Sequence, residues 1–325
     1  MSGGTKRPRV IAIEEHYFDP ELLAQNNDGW VQRMDPEIKK RLNDLGELRL
    51  KEMDQGGIDV AVLSHGGHGM QALSADVAVP LAKGVNDRLY ETVRGHPDRY
   101  AAFAVLPTAD PKAAADELER CVTKYGFKGA MTHGLQQGEF LDLPKYWPIY
   151  ERAAALDVPI YLHPSTPHPA VHEAYYKDYA KSHPGIATAA LAYTVEGMVQ
   201  GVRIVLSGVF DKHPNLKIIL GHMGEGIPFL IWRIHHTLGH SSAVEFRDIF
   251  CRHFWVTTSG FFSDPALMCT IMEMGADRVI FSIDWPYIKN DEGTEWLDHA
   301  ALSAEDKAKI YSGNAEKLLR MGRNA

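Results

Sequence analysis

Four residues whose side chains bind metal ions follow short apolar segments of the sequence: Glu14, His16, His163 and Asp284. Side chains alternate along a β-strand, so Glu14 and His16 are expected to point the same way and Glu15 the opposite way. Two carboxylates and two imidazoles form an oxygen and nitrogen donor set that suits Zn²⁺, Mn²⁺ or Fe²⁺. The sequence therefore predicts a metal site, provided that the fold brings these distant segments together.

A histidine and a glutamate suited to proton transfer follow another apolar segment, within the stretch GHMGEG at residues 221–226. The glycines allow a sharp turn that presents His222, and Glu225 is close enough in sequence to hydrogen-bond its imidazole. Such a pair fixes the tautomer of the histidine and raises its basicity. Arg233 follows about two helical turns later and could reach a substrate anion. The alternative for Arg233 is an exposed or ion-paired helix residue.

Eight short segments, continuously apolar and rich in Val, Ile, Ala or Leu, are typical of parallel strands buried on both faces. They are Val10–Ile13, Val60–Leu63, Tyr100–Leu106, Gly129–Thr132, Ile160–Leu162, Lys217–Leu220, Trp255–Thr258 and Val279–Ile283. Helical patterns alternate with them. These are Asp44–Gln55, Leu81–Arg94, Pro111–Tyr125, Leu143–Leu156, Ala187–Asp211, Gly226–Leu238, Asp264–Met274 and Ser303–Arg320.

This alternation predicts an α/β fold, a (β/α)₈ TIM barrel formed by residues 1–325 as a single domain. The alternative is an open doubly wound sheet, which usually has a glycine-rich loop after its first strand, where this chain has Glu-Glu-His. In a barrel the carboxyl ends of the strands converge, so the four metal-binding residues would meet at one mouth. Long loops after strands 1 and 5 are expected at this mouth, the second as a lid or subunit contact.

Composition and charge exclude several classes of protein. The formal net charge is −8, which gives no reason to expect nucleic-acid binding. No apolar run approaches the roughly 18 to 20 residues of a membrane span, and the basic start is not followed by the apolar core of a signal peptide. Three distant cysteines are expected to be reduced thiols in a cytoplasmic protein.

The stretches IAIEEHYFDPELL, YLHP, GVFDKHPNLKIILGHMGEGIPFLIWRI, VTTSG, GADRVIFSIDWPY and GNAEKLL resemble one branch of the amidohydrolase superfamily. It is the branch similar to aminocarboxymuconate-semialdehyde decarboxylase, and the similarity is greatest to γ-resorcylate (2,6-dihydroxybenzoate) and related hydroxybenzoate decarboxylases. The stretches span nearly the whole chain. The Glu-x-His start resembles the decarboxylases more than the His-x-His of many hydrolytic members.

The resemblance implies one Mn²⁺ or Zn²⁺ ion, no organic cofactor, and homodimers or homotetramers. It implies that Glu14, His16, His163 and Asp284 are the ligands, that His222 and Glu225 are a catalytic pair, and that Arg233 lies near the substrate. The sequence departs from the family pattern after strands two, four and seven, at His65, His68, His133 and Phe261. These residues are expected either to contact a differently substituted ring or only to line the mouth.

The reaction expected from the resemblance is reversible, non-oxidative decarboxylation of a small hydroxylated aromatic acid. The substrate carboxylate and an ortho hydroxyl would bind the metal, Asp284 would deliver a proton to the ring, and His222 would stabilise the developing charge. The alternative on the same scaffold is metal-assisted hydrolysis or hydration of a lactone, amide or unsaturated acid. A barrel that has lost catalysis is disfavoured because all four ligand positions are intact.

Overall fold

The computed structural model describes residues 8–25, 29–67 and 69–322 of the chain. Its strands are all parallel and form the wall of a barrel. They are β1 (Ile11–Tyr17), β2 (Val60–His65), β3 (Tyr100–Ala102), β4 (Ala104–Val105), β5 (Ala130–His133), β6 (Ile160–His163), β7 (Ile218–Leu220), β8 (Phe254–Thr257) and β9 (Val279–Ile280).

The third barrel strand is divided into β3 and β4, which flank Phe103. β1, β2 and β3 pair in that order, and β4 to β9 pair in sequence order. Each of the eight strands predicted from the sequence overlaps a strand of the structure, so the (β/α)₈ TIM-barrel prediction is confirmed.

The seam between β9 and β1 is closed by hydrogen bonds outside a regular ladder. The amide of His16 donates to the carbonyl of Trp285 at 2.8 Å. The carboxylate of Glu15 accepts from the amide of Ile283 at 3.0 Å and from the hydroxyl of Ser282 at 3.2 Å. Glu15 thus points the opposite way from its neighbours Glu14 and His16, as expected, and its carboxylate supplies a hydrogen-bond acceptor at the seam.

The helices surround the barrel and carry its loops. Before β5 they are α1 (Pro20–Ala24), α2 (Trp30–Arg33), α3 (Pro36–Leu42), α4 (Glu47–Gly56), α5 (Ala75–Gly95) and α6 (Pro111–Tyr125). From β5 to β8 they are α7 (Trp147–Leu156), α8 (Pro169–Val171), α9 (Lys177–Ala180), α10 (Ala192–Leu206), α11 (Val209–Lys212), α12 (His222–Glu225), α13 (Ile227–Ser242) and α14 (Phe246–His253). After β8 they are α15 (Asp264–Met274), α16 (Asn290–His299), α17 (Ala304–Ala308) and α18 (Asn314–Leu318).

Short 3₁₀ and π-helical turns adjoin several of these helices. The 3₁₀ turns are Pro144–Tyr146, Pro184–Ala187 and Ala276–Arg278, and the π-helical turns are His172–Tyr176 and Lys309–Gly313.

The predicted helices differ from the structure mainly at their ends. Two have the predicted bounds, α6 and α15, and α6 begins where expected, with Asp110 accepting hydrogen bonds from the amides of Lys112 and Ala113. α5 begins at Ala75, earlier than expected, and includes Pro80 in its first turns. In place of the single helix predicted over Ala187–Asp211, the structure has two shorter helices, α10 and α11.

Apolar side chains fill the inside of the barrel. Ile11, Ile13, Val62, Phe103 and Ile219 belong to this inner cluster and are fully buried. A larger cluster lies between the strands and the helices. The barrel is therefore a packed core, and open space for a ligand lies at the carboxyl ends of the strands.

One stretch among the described residues, Pro184–Leu206, is long and apolar enough to cross a membrane by length and composition. It is divided into a 3₁₀ turn and α10, and α10 packs against β6 and α12. It also contains Glu196 and Arg203. These contacts are those of a helix that covers the barrel.

Candidate active site

An irregularity in β1 brings Glu14 and His16 to the mouth of the barrel. Ala12 pairs with Ala61, but Glu15 pairs with Leu63, so β1 contains one more residue than β2 in this interval. Ile13 already points into the barrel, and strict alternation from Ile13 would turn Glu14 and His16 outward. The extra residue of this bulge resets the alternation and places both side chains inside.

Three of the predicted ligands form a compact cluster. Glu14, His16 and His163 are buried, and one ligand atom from each lies within 4.8 Å of the others. Oε1 of Glu14 is 3.3 Å from Nε2 of His163 and 3.8 Å from Nε2 of His16. Asp284 adjoins the cluster at its open side, with Oδ1 3.3 Å from Nε2 of His16. The structure therefore brings together all four residues predicted to bind the metal.

Hydrogen bonds behind the imidazoles hold their orientation. Nδ1 of His163 is 2.6 Å from the carbonyl oxygen of Pro164, to which it donates. Nδ1 of His16 is 3.2 Å from the hydroxyl of Ser64. With Nδ1 engaged in each ring, Nε2 faces the cluster, as is usual for histidines that bind metals.

The cluster fits a divalent cation on two observations. Oε1 of Glu14 is buried without a hydrogen-bond partner, a costly state for a carboxylate unless a cation compensates it. The donor atoms of the whole cluster also have the spacing expected around an ion bound at about 2.0 to 2.2 Å from each ligand.

The electrostatics of the site favour bound positive charge. Burial raises the pKa of Glu14, but the charge of His222 and the adjacent imidazoles of His16 and His163 outweigh it and hold that pKa well below its ordinary value. Burial would lower the pKa of His16, yet the carboxylates of Asp284 and Glu14 raise it to about 9. The buried carboxylates therefore attract protons onto the imidazoles, and a divalent cation would satisfy the same charges.

A left-handed turn presents the predicted catalytic pair. His222, Met223, Gly224, Glu225 and Gly226 have φ values of 49°, 56°, 75°, 53° and 77° in succession. The left-handed region costs non-glycine residues roughly 1 to 2 kcal/mol each. The turn brings Nδ1 of His222 to 2.9 Å from Oε1 of Glu225. Strain of this kind is found where the surrounding structure fixes a functional geometry.

Gly197 of α10 allows the helix to pack directly on this turn. A Cβ at Gly197 would lie 2.7 Å from Cγ and 3.0 Å from the carboxyl carbon of Glu225. The buried carboxylate of Glu225 is thus confined between α10 and His222. Burial would lower the pKa of His222, but the charges of Glu225 and Glu14 outweigh it and raise that pKa well above the usual value.

A cavity of about 330 Å³ opens above the cluster, within the size range of small-molecule sites. The predicted residues His16, His163, His222, Glu225 and Asp284 line its floor. The remaining wall comes from the long loop after β6, from α10 and from the loops at the other strand ends. These residues are Gly67, Pro164, Ser165, Thr188, Ala189, Tyr193, Thr194, Gly260, Tyr287 and Ile288.

The described residues among those predicted to contact substrate lie outside this lining. His65 is buried between the rings of Tyr17 and Phe18, at centroid distances of 5.5 and 5.8 Å, and burial lowers its pKa to about 4. The ring of His133 is 4.8 Å from that of His163, behind the cavity wall. Phe261 is 43% exposed, and Arg233 is exposed on α13. His68 lies outside the described residues.

Sequence reasoning missed the wall residues of the cavity. Four of them come just after the loop that was predicted to be a lid or subunit contact: Thr188, Ala189, Tyr193 and Thr194. The sequence therefore indicated a loop at the mouth but not which residues would line the cavity. Tyr287 lies three residues after Asp284. Its position in the same loop at the end of the strand could have indicated that it lines the cavity.

Comparisons with known proteins agree with this geometry. The sequence profile of the amidohydrolase family matches residues 15–321. A γ-resorcylate decarboxylase from Polaromonas sp. strain JS666 is 39% identical over 328 aligned positions, which cover 96% of this chain and 99% of that relative. The resemblance to decarboxylases found in the sequence is confirmed.

Solved structures show the same similarity. A dihydroxybenzoic acid decarboxylase from Polaromonas sp. JS666, with bound manganese and the inhibitor 2-nitroresorcinol, is 37% identical, with a TM-score of 0.88 and 98% coverage of each chain. A 5-carboxyvanillate decarboxylase from Sphingomonas paucimobilis is 31% identical, with a TM-score of 0.88, and the match covers 97% of this chain and 99% of that one.

Proposed function

The chain belongs to the amidohydrolase family and is a carboxy-lyase, and on this premise we propose that it releases carbon dioxide from a dihydroxybenzoate. The first candidate substrate is 2,6-dihydroxybenzoate. The observation that carries the proposal is that a cluster able to hold a cation and a His–Glu pair converge on the floor of one small cavity. Glu14, His16, His163 and Asp284 would hold the cation. Manganese is the first candidate, because the 37% identical structure contains it, and zinc is the second.

The charge of the cavity favours a substrate with one carboxylate. Among the described residues that line it, none is lysine or arginine. A second carboxylate, such as that of 5-carboxyvanillate, would find no fixed cation away from the floor, and burying it unpaired is unfavourable. The hydroxyls of Ser165, Thr188 and Thr194 suit neutral ring substituents instead.

The residues of the floor divide the chemistry between them. When bound, the divalent cation supplies a Lewis acid that offsets the charge of the substrate carboxylate and its ortho hydroxyl. Burial raises the pKa of Asp284, but interactions with the neighbouring imidazoles of His16 and His222 hold it below its ordinary value. Asp284 is therefore ionised before substrate binds. It takes a proton from a water molecule that the substrate displaces, and the resulting hydroxide leaves to solvent, so that the substrate carboxylate and water become the decarboxylated ring, carbon dioxide and hydroxide.

Asp284 then protonates the ring carbon that bears the carboxylate. The bond from that carbon to the carboxylate breaks, its electron pair returns to the ring, and carbon dioxide leaves as aromaticity is restored. His222, oriented by Glu225 and 3.7 Å from Oδ2 of Asp284, stabilises charge that develops on the ring oxygen. The protonated ring serves as the electron sink, so the proposal requires no organic cofactor.

A panel of acids tests the function. We expect carbon dioxide release from 2,6-dihydroxybenzoate or another monocarboxylic hydroxybenzoate (2,3- or 2,4-dihydroxybenzoate, salicylate), and much slower release from 5-carboxyvanillate. At high bicarbonate the reaction should run in reverse on resorcinol. Hydrolysis of a lactone, amide or ester with no decarboxylation of any acid would overturn the proposal in favour of the metal-dependent hydrolase.

We also propose that the chain is a single-domain cytoplasmic protein that forms a homodimer or homotetramer. An exposed apolar surface on α13 and α15 supports the assembly: Phe229 is 82%, Trp232 66% and Met272 79% exposed. Aromatic residues and methionine are enriched in protein interfaces. Light scattering of the wild-type chain and of Trp232→Glu tests this, and a monomeric wild type would contradict it.

A further inference from the structure

A tyrosine hydroxyl lies inside the barrel directly below the cluster and has no part in the mechanism above. Tyr161 precedes His163 by two residues on β6, so both side chains point into the barrel. Its ring is fully buried and belongs to the inner apolar cluster with Ile13 and Phe103. A phenol is an unusual choice for such surroundings, where a phenylalanine would fill the same space.

The hydroxyl of Tyr161 contacts the carboxylate of Glu14. It forms a hydrogen bond with Oε2 of Glu14 and lies 3.0 Å from the hydroxyl of Thr257 on β8. The Thr257 hydroxyl is also 3.4 Å from the same Oε2. A carboxylate only accepts hydrogen bonds, so the phenol donates to Glu14, and Thr257 can then donate to the phenol oxygen.

These contacts make the two oxygens of Glu14 unequal. Oε2 accepts a hydrogen bond from the Tyr161 hydroxyl, whereas Oε1 has no hydrogen-bond partner and faces Nε2 of His163. We propose that Tyr161, assisted by Thr257, is a positioning residue that fixes Glu14 as a one-oxygen metal ligand through Oε1. This inference rests on the metal site of the proposed function.

The proposal has a structural alternative, in which Tyr161 only fills the barrel. Tyr150 on α7 provides a control that distinguishes a positioning role from a filling role. Its ring is also fully buried, but its hydroxyl has no hydrogen-bond partner. Tyr150→Phe removes the same atom as Tyr161→Phe from a buried position, but without a contact to the cluster. Any effect that Tyr161→Phe has beyond the matched control is therefore due to the contacts of its hydroxyl with Glu14 and Thr257.

Measurement of the affinity for metal decides whether Tyr161 positions Glu14 or only fills the barrel. The wild type, Tyr161→Phe, Thr257→Val and Tyr150→Phe are loaded with Mn²⁺, and the affinity is measured by chelator competition, with the electron paramagnetic resonance spectrum of the bound ion. Loss of groups that orient metal ligands typically weakens affinity about 10- to 100-fold. We expect at least about tenfold weaker binding and an altered spectrum for Tyr161→Phe, a smaller loss for Thr257→Val, and no change for Tyr150→Phe.

Thermal unfolding of each variant keeps the result interpretable. If Tyr161→Phe does not fold, Thr257→Val decides alone, and wild-type affinity in that variant overturns the inference. Wild-type affinity and spectrum in a folded Tyr161→Phe also overturn it, while leaving the proposed function intact. A wild-type chain that binds no Mn²⁺ and releases no carbon dioxide would instead refute the proposed function itself.

Discussion

Gly197→Ala tests whether the His222–Glu225 pair depends on the close packing of α10. The new Cβ would lie 2.7 Å from Cγ of Glu225, and an ordinary contact begins at 3.4 Å, so the side chain must retreat by about 0.7 Å. That displacement would stretch the 2.9 Å hydrogen bond to His222 beyond the range of a hydrogen bond. A misplacement near 1 Å in a catalytic arrangement costs about 100-fold in rate, or about 2.7 kcal/mol.

The stability of Gly197→Ala should change much less than its activity. Alanine favours the helix by about 1 kcal/mol, and overpacking typically costs about 1 to 3 kcal/mol, so the variant stays folded. Gly239→Ala on α13 is the matched control, because nothing lies within 4 Å of its new Cβ. We expect wild-type activity and unfolding free energy raised by about 0.5 to 1 kcal/mol for the control.

The assay is kcat for carbon dioxide release from 2,6-dihydroxybenzoate, together with urea unfolding. A folded Gly197→Ala with wild-type kcat would refute the reasoning, because it would mean that the Glu225 carboxylate need not stay beside His222. An equal loss of activity in Gly239→Ala would refute it as well, since that substitution touches no part of the site.

Three further substitutions test the scaffold by urea unfolding. Burial raises the pKa of Asp19, but the hydrogen-bonded Arg88 lowers it below the ordinary value; at pH 7 Asp19→Asn should cost about 1.5 to 3 kcal/mol. The ionised carboxylate contributes its full stabilisation above its unfolded-state pKa of about 4 and loses it as pH falls through the lower folded-state pKa. The difference should therefore be constant above about pH 5 and decline below about pH 4, and a pH-independent difference would contradict it. Ala243→Gly should stabilise by about 0.5 to 1 kcal/mol, because Ala243 ends α13 at φ 56° and is exposed; destabilisation would be contrary evidence. Glu15→Ala should cost about 1 to 3 kcal/mol by leaving the Ile283 amide unpaired at the barrel seam, and an unchanged midpoint would show that the seam does not need it.

The barrel could be predicted from the sequence because each strand is a short apolar run buried on both faces. The sequence did not predict several helices, among them α1, α2, α3, α8, α9, α14 and α16, and α16 shows where such patterns fail. α16 contains Gly293, which is usually a sign of a break in a helix. In the structure a Cβ there would lie 2.5 Å from Cδ1 of Ile283 and 2.6 Å from the ring of Phe262, so the glycine permits close packing and not a turn. Tertiary contacts of this kind leave no local signal.

The floor of the site was predictable because its residues come from the ends of strands. Even so, Glu14 and His16 face inward only through the bulge in β1, which alternation along the strand does not reveal. For His65 the available signal was that adjacent strand residues face opposite ways, so Ser64 and His65 could not both point inward. The structure pairs Ser64 with His16 and turns His65 toward Tyr17. The left-handed turn at His222 was anticipated only as a sharp turn, because its strain depends on packing by α10.

The most direct test of the account is the metal dependence of decarboxylation. Metal-stripped wild type is titrated with Mn²⁺ while carbon dioxide release from 2,6-dihydroxybenzoate is measured, and His163→Ala is treated in the same way. The account predicts that activity rises from near zero until about one ion per chain is bound and then stays constant, with no rise for His163→Ala. Full activity in the stripped wild type, or equal activity in His163→Ala, would contradict it.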